Sequence, residues 1–136
     1  MENRREMFAL MGAAMVGAVP ANAKVNDDVL SESSAMLTRE PFGDHRVYFK
    51  GDTDEVSQFE CGSLELKPGA TPHPPHQHPE EEILIVAEGG GEIFLSGKTI
   101  PAPTGTIQYC KGNASHGILN TGDKPLLFYY AKWTKK

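Results

Sequence analysis

Long apolar runs, basic charge in excess and cysteine are all scarce in this sequence, and each scarcity removes a class of protein. No apolar stretch approaches the roughly 20 residues that a helix needs to cross a bilayer, so no membrane span is expected. Lysine and arginine total 13 against 18 aspartates and glutamates, a net charge of −5. Without a basic stripe to neutralise phosphates, no nucleic-acid partner is expected. Two cysteines in 136 residues do not make a disulfide scaffold. Helical periodicity is missing too: apolar side chains nowhere recur at three-to-four spacing over ten or more residues, which excludes a coiled coil.

Turn formers are plentiful, with 14 glycines and 10 prolines. They punctuate short runs rich in β-formers, namely residues 46–50, 57–67, 82–87, 91–95, 106–110, 117–119 and 126–133. Seven or eight antiparallel strands in one domain predict an all-β sandwich or barrel. Four apolar residues in a row, Ile83 to Val86, predict a strand covered on both faces. Residues 24–40 are polar with scattered apolar side chains and read as an arm or linker ahead of a domain spanning 41–136.

Residues 1–23 read as a targeting segment: a charged head, an apolar stretch from Phe8 to Val19, and the small-x-small close Ala21-Asn22-Ala23. Cleavage is expected before Lys24. The head, with Asn3, Arg4-Arg5, Glu6 and apolar Met7-Phe8, resembles the twin-arginine export signal of bacteria. That resemblance implies export of a folded protein to the periplasm, commonly one carrying a cofactor.

The chemistry concentrates between Gly69 and Gly89, GATPHPPHQHPEEEILIVAEG. Side chains alternate along a strand, so His76 and His78 share one side, joined by Glu82 if the strand keeps register. Two imidazoles and a carboxylate so spaced can converge on one cation, and Pro74, Pro75 and Pro79 stiffen the backbone that carries them. A second stretch, GTIQYCKGNASHGILN from Gly105 to Asn120, adds His116.

These two stretches resemble the paired motifs of the cupin superfamily. The first motif runs Gly, five residues, His-x-His, three or four residues, Glu, six residues, Gly. Gly69, His76, His78, Glu82 and Gly89 fit it, with one extra residue after Gly69. Gly105, His116 and Asn120 fit the second, but Lys111 replaces its Pro and Asn113 its Gly. Asn tolerates a left-handed backbone, so the turn is expected to survive. The resemblance implies a double-stranded β-helix, or jelly-roll barrel, in which His76, His78, Glu82 and His116 bind one divalent metal ion. Three imidazoles and a carboxylate suit Mn, Fe, Zn, Ni or Cu. Loading in the cytoplasm before export, where free Cu and Zn are scarce, favours Mn or Fe.

Two functions from different classes follow. One is a metal-dependent enzyme, a dioxygenase, decarboxylase or relative, acting on a small chelating organic substrate; the other is a non-catalytic metal- or ligand-binding cupin. A positioned acid or base near the metal would separate them. His73, Tyr109 and Tyr130 are the candidates, each with a plainer reading: His73 as an exposed loop residue, the tyrosines as packing. On the last strand Leu126, Phe128, Tyr130 and Lys132 share one face, and Leu127, Tyr129, Ala131 and Trp133 the other. Glu80 and Glu81 read as solvated rim charge. Arg46 is either a carboxylate anchor or a surface ion-pairing residue. Whether Cys61 and Cys110 form a bridge stays open. Small cupins commonly pair, so a homodimer is expected, its apolar late strands covered by a second copy.

Overall fold

The computed structural model describes residues 23–136. The expected targeting segment lies, but for Ala23, outside the described residues. Among those described there is no α-helix, only a 3-10 turn at Glu32–Ser34 and nine strands. These are β1 (Met36–Glu40), β2 (Gly43–Gly51), β3 (Val56–Leu66), β4 (Glu81–Glu88), β5 (Gly91–Leu95), β6 (Lys98–Ala102), β7 (Ile107–Cys110), β8 (His116–Leu119) and β9 (Leu126–Lys135). Six form an antiparallel sheet in the order β1-β2-β3-β9-β4-β7, and three form a second in the order β6-β5-β8. The all-β jelly-roll expectation holds.

Two strands were absent from the expected set. Residues 36–40, read as part of an arm, pair in register with β2. Further upstream the chain is also tied down, because Lys24 bridges Asp52 and Val25 N–H donates to the Asp52 carbonyl at 2.8 Å. β6 pairs with β5 although it contains Pro101; it is an edge strand, where a missing N–H breaks no ladder.

The inner face of the large sheet changes character row by row. Leu66 faces Leu126, and the next row holds Leu64, Phe128 and Val86. Gly62, Tyr130, Leu84 and Gln108 follow, and then Glu60, Lys132, Glu82 and Cys110. One end of the barrel is therefore sealed by hydrocarbon and the other lined by charge. Leu64, Leu66, Leu84, Val86, Ile93, Ile118, Leu126 and Phe128 are all buried in one cluster that crosses between the sheets. Burial of this apolar area is the dominant favourable contribution to folding.

The outer face corrects one expectation. The run Ile83–Val86 is not covered on both sides: burial alternates along β4, and Ile85 is 40% exposed. Its second apolar face looks outward.

Candidate metal centre

All five histidines line a single cavity of about 230 Å³ at the charged end of the barrel. Its construction begins in the backbone. His76 and His116 exchange both main-chain hydrogen bonds, at 2.9 and 3.0 Å, as an isolated antiparallel bridge. That pairing sets the two imidazoles side by side, with ring centroids 4.8 Å apart. The turn at Gly112-Asn113 adds a second clasp: Asn113 N–H donates to the His78 carbonyl at 2.7 Å, and Gln77 Nε2 donates to the Asn113 carbonyl at 3.0 Å. Asn113 has φ 67°, so the left-handed turn survives the replacement of glycine as expected. A Cβ at Gly112 would lie 2.6 Å from the Pro79 carbonyl oxygen, so the turn must be glycine there to sit this close.

Ring nitrogens of His76, His78 and His116 lie within 4.8 Å of one another, a grouping able to hold a metal ion. Glu82 rises beside two of them, its Oε1 3.2 Å from His78 Nε2 and 3.1 Å from His116 Nε2. The structure thus places His76, His78 and His116 as a triad with the buried Glu82 carboxylate adjoining it. His116 Nδ1 donates to the Ala114 carbonyl at 2.9 Å, which orients the ring and leaves Nε2 facing the cluster. Buried Cys110 packs its Sγ 3.4 Å from that same Nδ1. Burial, together with the charges of His73, His116 and His78, pushes His76 down to about 4, so it offers a neutral imidazole at neutral pH. Burial raises the Glu82 carboxyl, but its hydrogen bond to His116 and the neighbouring imidazoles outweigh this and hold it below the usual range. The bond to Glu82 in turn raises His116. Three imidazoles with a buried carboxylate fit a first-row divalent ion.

The remaining candidates separate cleanly. Tyr130 is buried, and its hydroxyl donates to Glu60 Oε2 at 2.6 Å while accepting from His45 Nε2 at 2.8 Å. Burial and the adjacent Glu60 carboxylate raise its pKa far above the usual phenol range. Tyr109 is corrected: it points outward, is 54% exposed, and donates to Glu81 at 2.7 Å, so it takes no part in the cavity. His73 is half-buried, not an exposed loop residue, and stacks on His76 with centroids 3.7 Å apart. Glu80 is corrected from rim charge, since its Oε1 lies 3.3 Å from His78 Nδ1 and its side chain is largely buried. Arg46 pairs with Glu32 at 3.6 Å on the outside, the surface ion pair of the two readings. Both cysteines are free thiols. Their strands, β3 and β7, are separated by β9 and β4. At about 4.8 Å per strand step, that separation is beyond the reach of a bridge.

Sequence reasoning missed His45, Glu60, Lys132 and Gln108, which all line the cavity. A Cβ on Gly62 would sit 2.8 Å from the Tyr130 hydroxyl, so this glycine makes room for the chain linking His45, Tyr130 and Glu60.

This is a small barrel with a candidate metal site, and comparison with known proteins agrees on the fold. The family described as "Cupin domain" matches residues 62–131. The chain belongs to the cupin family. No curated protein matches the sequence. Among solved structures it is similar to an RmlC-like cupin from Shewanella frigidimarina, with 12% identity, a TM-score of 0.67, and 82% of this chain and 95% of that one covered. It is also similar to KdgF from Halomonas sp. (17% identity, TM-score 0.65, 79% and 94% covered). A predicted oxalate decarboxylase from Thermotoga maritima shares 23% identity at a TM-score of 0.62, covering 79% and 99%. At these identities the likeness is one of fold.

Proposed function

We propose that this cupin is a metal-dependent enzyme acting on a small chelating organic substrate, with one divalent ion held by His76, His78, His116 and Glu82. The observation that carries the reading is the hydrogen-bonded chain His45–Tyr130–Glu60 in the wall of the same cavity. A binding module has no need of a connected acid–base chain beside its metal; an enzyme does. When bound, the ion supplies Lewis-acid polarisation of a ligand oxygen or, if redox-active, electrons for dioxygen chemistry.

The protein's own groups handle the protons. Burial lowers His45, so at neutral pH it is a neutral imidazole. Because the Tyr130 proton goes to Glu60, the His45 proton must sit on Nε2, which leaves Nδ1 as an acceptor. A proton taken at Nδ1 can be passed from Nε2 through the Tyr130 hydroxyl to Glu60.

Metal analysis of the protein from its native compartment, followed by turnover of short oxo acids, hydroxy acids and phenols with and without air, tests the reading. Tyr130→Phe is expected to keep its metal and lose turnover by about 10²-fold or more; unchanged turnover overturns the acid–base role. His76→Ala/His116→Ala is expected to lose the metal; full occupancy in that variant overturns the site. The same proposal has Arg4-Arg5 directing export to the periplasm after loading with Mn or Fe, and two copies working as a homodimer. Changing both arginines to lysine is expected to leave the chain uncleaved in the cytoplasm, and unchanged export would remove the pathway.

A further inference from the structure

Gln108 is the cavity's unexplained residue. It stands on β7 with only 5% of its surface exposed, and its amide nitrogen has no hydrogen-bond partner among the described residues. Buried polar groups are nearly always paired, because water lost on burial must be replaced. Asn120, equally buried, shows how this fold treats a structural amide. Its Nδ2 donates to the Leu66 and Lys124 carbonyls at 3.1 and 2.8 Å, and its Oδ1 accepts from Gly122 N–H at 2.9 Å. Gln108 has no such role.

Its address is informative. Cys110 is the register partner of Glu82, at the level of the histidine cluster, while Gln108 pairs with Leu84 one inward row deeper. Two residues along a strand is a step of about 6.8 Å. At the level of the amide the cavity wall carries the apolar side chains of Leu84 and Ile118 together with Tyr130, and Phe128 lies one row deeper. The cavity, at about 230 Å³, lies below the roughly 300–1,000 Å³ common for drug-sized ligands.

We propose that Gln108 is a ligand-recognition residue, its amide N–H reserved for a carboxylate or carbonyl oxygen at the far end of a short bifunctional organic acid. One oxygen-bearing end of that acid lies at the histidine cluster, the other at Gln108, and a hydrocarbon spacer of two or three carbons runs past Leu84 and Ile118. Oxalate is too short to touch both ends; succinate and glutarate span them. This rests on the proposed metal-site reading, which supplies the first end.

The test uses Gln108→Leu, which keeps volume and removes the polar atoms, and reads two independent quantities. The first needs no ligand or metal. Replacing an unpaired buried amide by hydrocarbon is neutral or stabilising, whereas removing a paired one is destabilising. The variant is therefore expected to melt at or above the wild-type temperature; a fall of more than about 3 °C overturns the proposal by showing that the amide is structurally bonded. The second is calorimetric titration of Zn-loaded protein with oxalate, malonate, succinate and glutarate. Wild type is expected to bind succinate or glutarate most tightly, and Gln108→Leu to lose about tenfold or more for those two while binding oxalate as before. Equal binding of succinate and glutarate by both proteins overturns the proposal. If the protein takes up no Zn, the metal-site reading fails by itself. The titration is then run on the metal-free protein with succinate and glutarate, where loss of binding in the variant sustains the role of Gln108 and equal or absent binding in wild type and variant overturns it.

Discussion

His45 and His116 face the same cavity, yet their surroundings move them in opposite directions. His116 is raised by its hydrogen bond to Glu82, whereas His45 is lowered, chiefly by burial, against the opposing pull of Glu60 and Glu40 and with help from Lys132 and Lys50. The sign for stability follows from linkage. An unfolded His45 takes up its proton near its ordinary value of 6.5, whereas the folded chain resists until lower pH. The unfolded state therefore binds more protons in that window, and the stability held above it is lost as pH falls through the depressed folded value. Denaturant midpoints measured from about pH 7.5 down to about pH 5 are expected to fall more steeply in wild type than in His45→Gln, which keeps a donor for Tyr130. Parallel profiles for the two proteins would show that His45 is not the group responsible.

At the scale of elements, the turn between β7 and β8 carries more than its length suggests. Asn113 holds the left-handed conformation and ties the turn to the His78 carbonyl, so one strained residue fixes both motif stretches. Asn113→Gly is expected to leave stability within about 0.5 kcal/mol, since glycine adopts this backbone freely. Asn113→Val is expected to cost about 1–2 kcal/mol and to weaken metal affinity, because the strain falls on the backbone beside His78. Thermal melts and metal titration of both variants check this, and a fully stable valine variant would sink it. The turn and the triad were legible in the sequence because their residues sit at short, fixed spacings. The chain His45–Tyr130–Glu60 was not, since its members come from β2, β9 and β3 and meet only through sheet register. β1 was hidden because Met36–Glu40 alternates too weakly to stand out, and β6 because a proline in a short run argues against a strand. Ile83–Val86 was misread for a different reason: an apolar outer face and a buried one look the same in one dimension.

That apolar outer face bears on the whole molecule. Cross-strand register places Tyr129, Ile85 and Ile107 in one outward row and Ala131, Ile83 and Tyr109 in the next. Ile107 is 63% exposed, Tyr109 54%, Tyr129 41% and Ile85 40%, so the rows form a continuous apolar patch on the β9-β4-β7 edge of the large sheet. Isolated exposed apolar residues are ordinary, but a contiguous cross-strand patch is the kind of surface that serves protein–protein contact. A two-fold axis through the patch would set the same rows of a second copy against it, and a stable pairing needs about 1,200–2,000 Å² of total buried surface. β7 is a four-residue edge strand, so such a contact would also shield an open edge. The cavity is lined by the inner face of this sheet, so a pairing through the outer patch would not cover its lining residues. Sedimentation at micromolar concentration is expected to give a dimer for wild type. The double variant Ile85→Asp/Ile107→Asp is expected to run as a folded monomer that still binds its metal, because both side chains point away from the core. A wild type of monomer mass would remove the homodimer, and a double variant that remains dimeric would move the interface off this face.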